Sequence, residues 1–428
     1  MSLFSRLIRN SLWLLTARFG AQVCAVIVTY LLARRLGIEG FGEYSFIAAA
    51  IVIGNTLTTF GSDMYLIREI AVKSESSQLS SALILQLVLS CLFIILVFFL
   101  ASYLPNQTSE SILALQVYSL ALIPLSFFTV FTSALRGQQK MNSYAWLNLA
   151  ITILQIIAVA LFIPRGASVV ALACLLLALQ VTGSILAGTL CAIFIPNFWR
   201  GWRLSLNETI HLFIACIPVA ALAILGVLYQ KLSLTMLSFL GGASMVGWFS
   251  AAARAVEAAR IGHIAAFTAL YPAMANAKIN KDSVRTFRLS WFLLLIVASM
   301  GTILLFLFAK PLIHIFFGAE YQLSIPVLRI LSFTLVPYSV NTFLSLALLA
   351  AKREKVVVRI LFISLFALTV LNLWLIPRAG EVGAGWAFLI AEVMQSGLFL
   401  FEWKTNRARM NQVLIHHQGV SYELPDLS

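Results

Sequence analysis

The chain has 428 residues, 61% of them hydrophobic and 11% charged, with a mean hydropathy of +0.96. A soluble fold of that composition lacks the polar surface to cover itself, so the chain reads as an integral membrane protein. The formal charge of +13 sits in short loops rather than in a basic soluble domain, which excludes nucleic acid as a partner and leaves the lipid bilayer as the surroundings.

Crossing a hydrocarbon core of about 30 Å takes about 20 apolar residues as a helix. Stretches of that length predict spans near 11–32, 44–64, 80–102, 112–134, 143–163 and 169–194, then near 210–238, 244–270, 289–309, 325–350, 357–376 and 382–403. A barrel would show short alternating segments instead. The expected architecture is all-α, with about twelve transmembrane helices in two six-helix lobes around a central cavity. The lobes are expected at 1–204, which includes an interfacial linker, and at 205–428, which includes a cytoplasmic tail.

The first span carries Arg18 near its middle, with Gln22, Ala25 and Thr29 on the same helical face. A charge at the bilayer centre costs roughly 2.5–3.5 kcal/mol, so Arg18 points to a polar pathway inside the bundle. This apolar run is too long for a signal-peptide core and lacks a small-residue cleavage site, which predicts an uncleaved span. In the second span Asn55, Thr59 and Ser62 form a polar stripe ending at Asp63, a candidate counter-charge. The linker 197–208 mixes Trp199 and Trp202 with Arg200 and Arg203, the composition of a segment at the membrane surface.

On the eighth span Ser250, Arg254, Glu257 and Ile261 share a face, with Arg260 on its flank. Arg254 and Glu257 could simply pair with each other. Arg329 and Glu392 fall nearer helix ends or point inward less clearly. Pro124 and Pro337 are expected as matching mid-span kinks, and Pro218 as a kink in the seventh span. The five cysteines, without CxxC spacing, read as packing residues, and the five histidines show no metal-ligand spacing.

Basic residues test the orientation. With the N-terminus cytoplasmic, 19 of the 29 Lys and Arg fall in inside loops and 5 in outside loops, as the positive-inside rule requires. Both termini are therefore expected in the cytoplasm.

The halves also resemble each other. IPLSFFTVFTSALRGQQK from Ile123 lies over VPYSVNTFLSLALLAAKR from Val336, matching Pro124 to Pro337 at a shift of 213 residues. The same shift lays IPRGASVVA from Ile163 over IPRAGEVGA from Ile376. A slightly different one lays LGIEGFGEYSFIAAA from Leu36 over LGGASMVGWFSAAA from Leu240. Two copies with an even number of spans share one orientation and can rock about a common cavity.

Arg18, Arg254 and Arg260 would make that cavity cationic, and guanidinium groups bind phosphate oxygens in a bidentate manner. A phosphate or pyrophosphate head group is the natural cargo. An exporter of cations would be expected to line its lumen with carboxylates instead. The expected substrate contacts are Arg18, Gln22, Arg254 and Arg260. Asp63 and Glu257 are the candidates for coupling to H+ or Na+. No cofactor is expected, and no Walker loop is present.

Several segments bring a family into view: LLARRLGIEGFGEYSFIAAA from Leu31, FGSDMYLIREIA from Phe60, ALRGQQKM from Ala134, VGWFSAAARAVEA from Val246, PLIHIFFGAEYQLSIPVLRIL from Pro311 and NLWLIPRAGEVGAGWAFLIAE from Asn372. Together they resemble the polysaccharide transporter family, the O-antigen flippases called Wzx, of the multidrug, oligosaccharidyl-lipid and polysaccharide exporter superfamily. The resemblance implies a non-enzyme of the bacterial inner membrane. It would flip an undecaprenyl-diphosphate-linked oligosaccharide by alternating access, for O-antigen (lipopolysaccharide) or capsule synthesis, with glycan polymerases as candidate partners. The family's lumen arginines map onto Arg18, Arg254 and Arg260.

A lipid II flippase would share the cationic cavity but usually adds helices after the twelfth, where this sequence has a polar tail from Lys404. A multidrug exporter would favour amphiphilic cations, and a membrane glycan polymerase or ligase would keep large outer loops.

Overall fold

The computed structural model describes the backbone of residues 3–73, 77–195, 198, 199, 202, 205–276 and 281–405. Side chains are described within these segments except at 3–19, 72–77, 261–288, 290 and 350. The described residues form helices joined by short turns. These are α1 (Leu3–Thr59), α2 (Ser62–Lys73), α3 (Ser77–Leu100), α4 (Ser109–Ser119), α5 (Leu122–Gly137), α6 (Met141–Phe162) and α7 (Val169–Phe194). There follow α8 (Leu206–Leu240), α9 (Ala243–Asn276), α10 (Lys281–Leu307), α11 (Ala309–Phe316), α12 (Ser324–Ser332), α13 (Leu335–Ala350) and α14 (Glu354–Thr405).

Among the described residues seven helices are long and apolar enough to cross a membrane, or up to nine if each of two bent pairs is one span. The chain is a multi-span membrane protein. Two elements are of double length. A straight α14 of 52 residues would reach about 78 Å, well beyond the hydrocarbon core. It is broken at Gly380, where φ is 54°. The chain reverses there: a side chain on Gly383 would stand 2.2 Å from the Leu375 carbonyl oxygen, whereas eight residues of straight helix separate atoms by about 12 Å. Glu402 accordingly meets Arg359 at 3.2 Å and Arg353 at 3.5 Å. In α1 the break is Gly37, at φ 71°.

The chain divides into two compact units, Met1–Gly247 and Trp248–Ser428. The division expected at 204/205 follows the sequence repeat. By packing, α8 sits with the first unit, against α1, α2 and α3. Within that unit α5 packs on α2, α3 and α7, around a core that includes Leu66, Leu83, Val130, Leu135 and Cys191. Small residues set the helix spacing, as in other membrane bundles; Gly188 lets the Phe131 ring approach to where a Cβ would be 3.0 Å away. The linker is pinned to this unit by its aromatics. Phe198 is buried, and Phe131, Phe198, Trp199 and Trp202 stack within about 6.3 Å of one another. In the second unit α12 and α13 pack against α14 and α10.

The internal repeat is written in backbone hydrogen bonds. At the end of α5, the Gln138, Gln139 and Lys140 amides donate to Ala134, Arg136 and Leu135. At the end of α13, Ala351, Lys352 and Arg353 donate to Ala347, Leu349 and Leu348, each partner shifted by 213 residues. Gln139 and Lys352, at φ 56° and 57°, make the same left-handed turn. The break between α4 and α5 repeats as well. Leu120 and Ala121 donate to Val117 and Tyr118, as Phe333 and Thr334 donate to Ile330 and Leu331.

These breaks lie just before the matching prolines. Pro124 and Pro337 are the third residues of α5 and α13, in a first turn whose amides need no intrahelical partner. Both lie within a span, Ser109–Gly137 or the bent pair Ser324–Ser332 and Leu335–Leu349, with the break three to four residues before the proline, where its missing amide leaves the i−4 carbonyl without a partner. The α12–α13 pair bends by 42° at its break, whereas α4 and α5 pass as one span, Ser109–Gly137. Pro218 does lie inside α8.

Arg35 also has a structural task that its place in a presumed loop concealed. Its Nη1 donates to the Val159 and Ala160 carbonyls at 2.9 and 2.8 Å and to that of Ile163, and its own carbonyl accepts from Gly166 N at 2.7 Å. One cation thus caps the carbonyls at the C-terminus of α6, those of Ala160 and Ile163 beside that of Val159, which also accepts from Ile163 N, where the helix dipole favours it.

Candidate functional site

The predicted site residues separate into distinct settings. Arg18 lies on α1 with its side chain outside the described residues, and Gln22, one turn later, is half-buried. Asp63 stands beyond the break at Phe60 and Gly61, half-buried in the first turn of α2, so it does not end a stripe within the second span. The stripe itself is bound up in packing. Thr59 donates to the Asn55 carbonyl, Ser62 to that of Thr59 at 2.6 Å, and Gln86 Nε2 donates to the Ser62 hydroxyl at 2.8 Å. Short hydroxyl side chains in helices commonly return to the carbonyl a turn back, and these do so.

On α9, Arg254 and Glu257 pair at 3.1 Å, both about one-third exposed. That is the i, i+3 ion pair the spacing allowed. Arg260, six residues on, belongs to a different group. Its guanidinium carbon lies 4.2 Å from the centre of the Tyr338 ring and 5.8 Å from that of Phe388, and Nη2 is 3.4 Å from Thr334 Oγ1. Thr334 is the N-cap of α13 at the break, and Tyr338 follows one turn later. The bend between α12 and α13 thus presents the hydroxyl and the ring together.

Stacking on an aromatic face holds a guanidinium by its plane and leaves the N–H edge free to donate. Among the described residues Arg260 Nε has no hydrogen-bond partner and Arg260 makes no ion pair. A desolvated, oriented fork of donors can take a planar or tetrahedral oxyanion in bidentate fashion. The first repeat lacks this arrangement: at the 213-residue shift, Thr334 and Tyr338 correspond to Ala121 and Leu125.

One turn further along both helices lies a polar network that helical phase did not single out. Glu392 of α14 is 3% exposed. Its Oε2 accepts from Asn341 Nδ2 at 2.7 Å, and Asn341 Oδ1 accepts from the Ser396 hydroxyl at 2.8 Å. Asn341 Nδ2 is also 3.3 Å from Gln395 Oε1. Asn341 and Glu392 replace what would be Phe128 and Leu179 in the first repeat, and that departure from an otherwise matching copy was the available signal. Arg329, by contrast, is exposed and stacks on Phe306 at 5.5 Å.

Comparison with known proteins gives a consistent picture. Residues 7–278 match the family described as "Polysaccharide biosynthesis protein". A protein of Escherichia coli (strain K12) named for O-antigen transport is 23% identical over 421 residues, 93% of this chain and 97% of that one. Among solved structures, the lipid II flippase MurJ in an inward closed conformation superposes with a TM-score of 0.74 at 15% identity, covering 95% of this chain and 93% of that one. A multidrug resistance MATE family transporter in its inward-facing conformation gives 0.72 at 15%, covering 94% and 96%. A superfamily transporter from Pyrococcus furiosus, whose title notes a binding pocket of reversed polarity, gives 0.68 at 16%, covering 96% of each chain. At these identities the structural likeness establishes the fold.

Proposed function

The chain belongs to the polysaccharide biosynthesis protein family, and on that footing we propose that it flips an undecaprenyl-diphosphate-linked oligosaccharide across the bacterial inner membrane by alternating access. In this reading both termini are cytoplasmic and the cargo is an O-antigen or capsule repeat unit. The observation that carries it is Arg260, whose guanidinium carbon lies 4.2 Å over the Tyr338 ring in a membrane-spanning unit, with Nε unpartnered among the described residues. A diphosphate supplies the oxyanion that such a fork accepts. Arg254 is a secondary contact because Glu257 already neutralises much of its charge, and Arg18 and Gln22 are assigned to the cargo path by sequence position. Transport makes and breaks no bond in the cargo, so the protein is not an enzyme in this reading.

The lipid tail would remain in the bilayer while the head group enters the polar path, so that only the charged and sugar portions need compensation. Complementation of a flippase-null strain tests the proposal. Wild-type chain restores surface glycan, and Arg260→Ala made at equal membrane abundance lowers it at least tenfold. Full rescue by Arg260→Ala would remove the cation from the mechanism.

A further inference from the structure

We propose that the end of the second unit where α13 gives way to α14 binds an anionic phospholipid of the surrounding bilayer, its phosphate seated on Lys355 and Arg359 and an acyl chain laid along the exposed apolar face of α14 beneath them. The proposal uses neither Arg260 nor the residues packed against it.

The reversal at Gly380 brings the two ends of α14 together, so that Glu402 meets Arg359 at 3.2 Å and Arg353 at 3.5 Å. The Glu402 side chain is 13% exposed and that of Arg359 62%, which makes the carboxylate an anchor set into the protein and leaves most of the arginine arm outside. A guanidinium has five N–H donors, and the single bond from Arg359 Nη2 to Glu402 Oε2 leaves others for a phosphate. Lys355 is exposed one turn before Arg359 on the same face, and among the described residues it makes no ion pair. Like charges at that spacing repel and slightly weaken a helix; an anion between them reverses the sign. Glu354 is exposed too, but at about 100° per residue it falls about 140° round the helix from Arg359. Around Glu402 one carboxylate therefore answers three cations, Arg353, Lys355 and Arg359.

Beneath the cations the same face turns apolar. Phe362, Phe366 and Val370 follow Arg359 at steps of three and four residues, the repeat of one helical face, and are exposed by 62%, 66% and 49%. A charged head above a hydrocarbon track matches a lipid in both parts. An acidic soluble protein would cover the cations and leave the track bare, and a zwitterionic lipid would fill the track without neutralising the excess charge.

The first repeat marks the depth at which these groups stand. At the 213-residue shift Lys355 corresponds to Asn142 and Arg359 to Trp146, and Trp146 is 59% exposed in the second turn of α6. Exposed tryptophan near the end of a spanning helix belongs to the head-group region. The second repeat places a guanidinium at that same level, where phosphates are and where a planar fork of donors suits them.

The test counts bound lipid by native mass spectrometry of the full chain in detergent, with phosphatidylglycerol and phosphatidylcholine of identical acyl chains as probes. Each Lys or Arg at an anionic lipid surface strengthens association roughly fivefold, so wild type should hold phosphatidylglycerol roughly 5- to 25-fold tighter than phosphatidylcholine. Lys355→Gln breaks no described ion pair and should lower phosphatidylglycerol binding by up to about fivefold. The Lys355→Gln, Arg359→Gln double variant should bring the two lipids within about twofold of each other, with phosphatidylcholine binding unchanged. Arg136→Gln, which removes a cation stacked on Tyr144 in the first unit, should leave the preference as it was. Equal binding of both lipids by wild type, or a preference that survives in the double variant, overturns the proposal. A loss in Arg136→Gln equal to that in Lys355→Gln overturns it in favour of diffuse surface charge. Displacement of phosphatidylglycerol by one equivalent of undecaprenyl diphosphate overturns it in favour of the cargo.

Discussion

Arg260 lies over the ring of Tyr338, the guanidinium carbon 4.2 Å from the ring centre, and this contact positions the cation. A partly desolvated cation–π contact is worth about 0.5–2 kcal/mol. Tyr338→Leu is expected to weaken binding of undecaprenyl diphosphate by roughly 2- to 30-fold on that basis, while Tyr338→Phe stays within about twofold because the quadrupole persists. Titration of both variants in nanodiscs distinguishes ring from hydroxyl.

Arg254 and Glu257 are each about one-third exposed in their 3.1 Å pair, so solvent screens them. A double-mutant cycle on thermal stability should return a coupling of about 0.2–1 kcal/mol. Arg254→Ala should lower transport less than Arg260→Ala does. A larger loss at Arg254, at equal protein abundance, would move the main anion contact to that residue.

Arg35 closes the C-terminal end of α6 by donating to three carbonyls. Arg35→Met leaves those oxygens without a charged donor and should cost about 1–3 kcal/mol, seen as a lower melting temperature in detergent. Arg35→Lys should recover part of it, since a single ammonium cannot reproduce the fork.

The paired turns offer a gain in stability. Gln139 and Lys352 hold φ of 56° and 57° at the position after a helix end where glycine is preferred. Gln139→Gly and Lys352→Gly should each stabilise the fold by up to about 1 kcal/mol, additively because each turn is local to its own unit. Paired melting curves of the single and double variants check both statements.

Much of the architecture could be read from residue order because its causes are local. Apolar run lengths marked the helices, and the copied motifs around Pro124 and Pro337 marked a duplication that the structure repeats bond for bond. The prolines flagged the breaks: residues 120–121 and 333–334 fall three to four positions before Pro124 and Pro337, and the i, i+3 hydrogen bonds record the reset. Arg260 was visible as a charge on an apolar span, yet its partners were not, since helical phase gives a direction and not the neighbour that fills it. Glu392 looked marginal because helical phase did not point it clearly inward on the chain's last span. The reversal at Gly380 lays that stretch against α13 and buries the carboxylate beside Asn341.

The central claim is that Arg260 receives the anionic head group of a lipid-linked glycan. Proteoliposomes containing fluorescently tagged undecaprenyl-diphosphate oligosaccharide measure this directly, by the rate at which cargo becomes accessible on the opposite leaflet. Wild type should accelerate that rate, Arg260→Lys should retain a minor part of it, and Arg260→Ala should fall to the protein-free background. Equal acceleration by wild type and Arg260→Ala would contradict the account.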